Sequence, residues 1–148
     1  MNTAANPTEQ VRSELKALKI TPKMVSVRAT SSGMNVVIKA RGIAATVEAI
    51  CNKHSRIHRC ETSGEVLSGS NFYVSVEFDR NLVETMAKEV DAQLSSANDW
   101  QGFSITDSPN NGCGYRFSAW GPKGHVGAGH TRDQVIDAIA TAALKAGL

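Results

Sequence analysis

The chain is poor in aromatics, at 5% of its 148 residues, and has no apolar run near the ~18 residues that a bilayer-spanning helix requires. Its opening, MNTAANPTEQ, lacks the basic-then-apolar order of a secretory leader, so a soluble, cytoplasmic protein is expected. Cysteine is scarce and odd in number: Cys51, Cys60 and Cys113 suit reduced thiols better than a disulfide framework. Pairing of Cys51 with Cys60 stays open if the fold brings them together. Signature motifs are missing as well. No Walker loop, HExxH, GxSxG or dinucleotide fingerprint occurs, and the carboxylates are scattered over helix faces and turns, so neither an enzyme nor a cofactor is expected.

What is present fits an ordinary globular fold, with 41% hydrophobic and 20% charged residues. The net charge of +2 is unevenly placed. Residues 1 to 74 hold ten Lys and Arg against five Glu, or +5, whereas residues 75 to 148 hold six against nine acids, or −3. That asymmetry favours one sign of partner at one surface.

The hydrophobic periodicity alternates between helical and extended. Asn6 as cap, Pro7 at the first helical position and Glu9 in the first turn predict a helix through residue 18 on Val11, Leu15 and Leu18. KMVSVRAT and MNVVIKA alternate, joined by the turn SSG, and read as a hairpin. A helical stripe follows at Ile43, Val47, Ile50, Cys51 and His54. NFYVSVEFD predicts a strand with Phe72, Val74, Val76 and Phe78 inward, and Asp79 then begins a helix ending near SSAND. GFSITD, YRFSAW and a short stretch near His125 predict strands around the turns SPNNGCG and GPKG. TRDQ is a capping box that opens the last helix. The expected class is α+β: a mixed or antiparallel sheet under about four helices, in the order α-β-β-α-β-α-β-β-(β)-α. A boundary near residues 95 to 100 would divide units 1–98 and 99–148, expected to share one core.

Chemistry concentrates in CNKHSRIHRC, residues 51 to 60. Were the second helix to continue through residue 58, His54 and His58 would stand one turn apart, with Cys51 on the same side, as two imidazoles on a metal ion require. A tetrahedral ion cannot be enclosed from so short a helical segment, and paired CxxC knuckles are missing. The plainer reading buries Cys51 and leaves Lys53, Arg56 and Arg59 at the helix end, where cations favour the dipole. A third reading joins Arg28, Lys39, Arg41, Lys53, Arg56 and Arg59 into a phosphate-binding surface, with Tyr73 as the aromatic available for stacking. Elsewhere, Cys113 between two glycines has His125 or His130 as a conceivable base, without any surrounding nucleophile signature. Trp120 alternates away from Tyr115 and Phe117; exposed, it would anchor a protein contact, and buried, it would end a core strand.

Two stretches carry resemblances. GAGHTRDQVIDAIATAAL resembles the last helix of double-stranded RNA-binding domains in its small residues, hydroxyl cap and alanine-rich body. That family presents consecutive lysines at the helix start, where this chain has Arg132 and Asp133, and the acid would repel phosphates. VRSELKALKI followed by KMVSVRATSSGMNVVIKA resembles the large polyvalent protein-associated domains of phages and conjugative elements, with their VRxxLK helix and SVR strand. ETSGEVLSGSNFYVSVEF is similar in style to the continuation, so the likeness spans about residues 9 to 80. The C-terminal strands and AIATAALKAGL are similar to small phage α-β-α sandwich proteins. These resemblances imply a mobile-element accessory protein of the counter-defence type, an inhibitor of CRISPR or restriction systems. Its partner would be a host protein or protein–nucleic acid complex, and no catalytic residue is implied. Direct binding of DNA or RNA through the basic half, and a small metal-binding protein, are the alternatives.

Overall fold

The computed structural model describes residues 6–67, 71–108 and 114–148. The fold is α+β, and its elements follow the expected order. The strands form two three-stranded sheets rather than one, and each belongs to its own compact unit, Met1–Asp79 and Arg80–Leu148.

The first unit begins with α1 (Pro7–Ala17), whose start is fixed by the Asn6 side chain accepting from the Thr8 amide at 3.1 Å. Val11 and Leu15 are its buried stripe. The helix ends through Lys19, held at φ 60°, while the Ile20 amide reaches back to the Leu15 carbonyl at 2.9 Å and the Lys19 amide to Lys16 at 3.0 Å. This is a Schellman closure with lysine at the left-handed position where glycine is favoured. Strands β1 (Val25–Thr30) and β2 (Gly33–Ile38) form the antiparallel hairpin. Helix α2 (Ala44–Asn52) then carries the chain over so that β3 (Tyr73–Phe78) pairs parallel to β2. Sheet order is β1-β2-β3, which leaves β1 on an edge. Val25, Met34, Val36 and Ile38 pack under Val11, Leu15, Val47, Ile50 and Cys51, with Phe72, Val74, Val76 and Phe78 against them. The inward set expected for β3 is therefore the observed one.

Gly33 has a steric reason. A Cβ there would lie 1.8 Å from the Tyr73 carbonyl oxygen, so β3 can approach this end of β2 only over a bare α-carbon.

The second unit contains α3 (Arg80–Ser96), β4 (Ser104–Asp107), β5 (Phe117–Gly121), β6 (Gly124–Gly129) and α4 (Arg132–Lys145). Its strands make an antiparallel meander. Met86 and Val90 of α3 and Val135, Ile136, Ile139, Ala140, Ala143 and Leu144 of α4 are the buried helix positions. Thr131 and Gln134 form the capping box read from TRDQ. Helix α4 lies close on the sheet, and a Cβ at Gly127 would meet the Ala138 methyl at 3.0 Å. The compact units divide between Asp79 and Arg80, not near residues 95 to 100, because α3 packs against α4.

Candidate functional site

Beside the edge strand β1 runs a groove of about 670 Å³. Leu15, Ile20, Val25 and Val27 supply its apolar floor. Arg12, Lys16 and Lys19 line it from the α1 side and Lys39 from the end of β2, with no carboxylate among the lining residues. Lys16, Lys19 and Lys39 are exposed. The guanidinium of Arg12 pairs with Glu9 and also donates to the Val27 carbonyl at 2.8 Å, tying α1 to the strand.

Of the residues singled out from sequence, only Lys39 belongs to this groove. Arg28 lies in the row Arg28, Asn35, Ser75 on the sheet face turned away from α1 and α2, one row from Tyr73. Asn35 donates there to Glu77 at 3.1 Å, so an acid shares that face. Lys53 is occupied by Glu14 at 3.2 Å, and Arg59 donates to the Gly64 carbonyl at 3.1 Å. Arg56 pairs through its backbone with Phe72 at 3.0 and 2.7 Å, while Arg41 is exposed in the connection between β2 and α2. The structure thus distributes the first unit's six predicted cations over several surfaces. Trp120, in the second unit, is 44% exposed and meets His125 edge-on at 5.2 Å, which sets aside its reading as a core residue.

Arg12, Lys16 and Lys19 escaped the sequence reading, although part of the signal was there. Positions 12 and 16 are one turn apart on α1, whereas Lys19 stands in the left-handed turn beyond its end.

The histidine pair expected from a longer α2 does not form. The helix stops at Asn52, and His54 turns back to Glu14, its Nε2 3.0 Å from Oε1. His58 is held by its own backbone, which donates to Asn71 Oδ1 at 2.6 Å. Among the described residues no three His, Cys, Asp or Glu side chains cluster as metal ligands. Cys51 and Cys60 are both free thiols. Burial, reinforced by Glu14 and Glu48, pushes the Cys51 thiol up to about 11. The Cys60 thiol is drawn down to about 7, first by the Ser63 side chain and then by the Ser63 and Thr62 amides. Cys113 lies outside the described residues.

No protein-family model, curated protein or solved structure matches this chain. No helix among the described residues is long and apolar enough to cross a membrane.

Proposed function

We propose that this chain is a non-enzymatic accessory protein of a phage or mobile element that binds a host macromolecule and thereby blocks a defence system. The observation supporting a binding role is the groove, an apolar floor bordered by Lys16, Lys19, Lys39 and the Glu9-paired Arg12, with no carboxylate among its lining residues. A cleft that joins apolar area to one sign of charge recognises a partner by shape and potential together. The mobile-element setting rests on the resemblance of residues 9 to 80. Expression in a bacterium carrying a restriction or CRISPR system, followed by plating of a sensitive phage, tests the reading. A rise in plating efficiency that disappears in the K16E/K19E variant is expected; unchanged plating across several defended hosts sinks the reading.

A second reading, direct binding of duplex nucleic acid, is favoured by Arg28 and Tyr73 sharing one face of the sheet. Its mark is salt dependence, since each phosphate contact releases a counterion. Titration of a generic duplex at rising salt decides it. Steep loss of affinity supports the reading, and absence of binding at low salt removes it.

A further inference from the structure

We infer that the groove binds an extended acidic peptide segment of the partner, added as a fourth strand on the open side of β1. The inference rests on the binder reading above and specifies its ligand.

The backbone supplies the first reason. The Lys39 amide donates to the Met24 carbonyl at 2.8 Å. In an antiparallel pair the residues facing their partner alternate, so Ser26, Arg28 and Thr30 follow Met24 in bonding to β2. Val25, Val27 and Ala29 therefore turn their amides and carbonyls outward. The Val25 amide is taken by Thr21 at 3.0 Å and the Val27 carbonyl by Arg12 at 2.8 Å. Among the described residues the Val25 carbonyl, the Val27 amide and both groups of Ala29 remain as an outward row, the template that strand addition uses. Arg12 occupies the place of an incoming amide, and its displacement would free a guanidinium for a carboxylate.

The side chains supply the second. Residues from both faces of β1, Val25 and Val27 on one and Ser26 on the other, line the groove together with Leu15 and Ile20. Its course thus follows the strand's open side. Alternate side chains of an added strand turn to the α1 side, where apolar ones meet that floor and acidic ones at its border meet Lys16 and Lys19, and those between turn to the other face, where an acid meets Lys39. A phosphate backbone would use the cations and leave the apolar floor idle, which is why a peptide is favoured over nucleic acid.

Lys19 supplies the third. It stands at φ 60°, where an L-residue is strained and glycine would relieve the turn. A cation kept there at the expense of stability points to a use for its charge.

The test is fluorescence anisotropy of the whole chain with a labelled peptide of alternating glutamate and valine. Controls are the same peptide methylated on alternate backbone nitrogens, a lysine–valine counterpart, and a short DNA duplex. Micromolar binding of the acidic peptide is expected, weakened about tenfold or more by N-methylation and absent for the lysine peptide. K19G is expected to raise the melting temperature while weakening the peptide several-fold, a combination that a purely structural lysine would not produce. Equal binding of the methylated peptide, or binding of the duplex but not of the acidic peptide, overturns strand addition. If the peptide fails to bind while plating protection persists, strand addition falls and the binder reading stands. If protection fails as well, both fall.

Discussion

Glu14 Oε1 lies 3.0 Å from His54 Nε2, while the other carboxylate oxygen lies 3.2 Å from Lys53 Nζ. One side chain of α1 thus holds the end of α2, and it does so across forty positions of sequence. The hydrogen bond from His54, and then the hydrogen bond and charge of Lys53, outweigh partial burial and hold the Glu14 carboxyl below its ordinary 4.5. E14Q should cost roughly 0.5–1 kcal/mol at neutral pH, an amount kept small because the pair is partly exposed and screened. A group whose folded pKa is depressed stabilises above its unfolded value and loses that contribution as pH falls through the folded one. Urea denaturation of wild type and E14Q should therefore differ at pH 7 and converge below pH 4.5. A constant difference across that range would refute the ion-pair account.

Thr8 is 1% exposed, and its hydroxyl has no hydrogen-bond partner among the described residues. A buried hydroxyl without a partner loses its water for nothing, whereas an apolar group of the same shape does not. T8V should raise stability by about 1 kcal/mol, seen as a higher melting temperature. T8S, which keeps the hydroxyl and drops the methyl, should lower it. A destabilised T8V would mean that the hydroxyl is satisfied in solution.

Gly33 faces Tyr73 across the parallel pair with no room for a methyl group. G33A should destabilise the first unit by about 3 kcal/mol, at the upper end for an overpacked site, because the obstacle is backbone and cannot rotate away. Amide exchange would report it as lost protection along β3, while α3 and α4 keep theirs. Unaltered protection at β3 would show that the strands can separate at this end without consequence.

Cys60 and Cys51 should differ sharply toward a thiol-alkylating reagent. With its pKa near 7, Cys60 should react half-maximally close to neutrality, while Cys51, buried and raised to about 11, should react only on unfolding. Peptide mass spectrometry after timed labelling distinguishes the two. S63A removes the largest contribution at Cys60 and should move its labelling profile to higher pH. An unmoved profile would exclude Ser63 as the cause.

Much of the fold was readable because its signals are local. The Asn6 cap, the alternation of β2 and β3 and the Thr131 capping box each act within a few residues, and each was found where the pattern placed it. The end of α2 was not readable. Periodicity carried the stripe on to His54, but Glu14 draws that side chain onto a different helix. The candidate site divided in the same way. Lys39 was among the cations named from sequence, whereas Lys19 reaches the groove from the left-handed turn that closes α1, a place no helical period marks, beside Arg12 and Lys16 of the helix.

Composition and periodicity determined that this chain is α+β, that its first half is basic, and which residues face inward on most elements. They could do so because burying apolar side chains depends on spacing within a single element. Tertiary structure alone decided that β3 runs parallel to β2, that the strands make two sheets, and that β1 is left on an edge beside a basic groove. Those outcomes depend on hydrogen bonds and packing between segments far apart in sequence, where no local pattern states which strand will lie next to which.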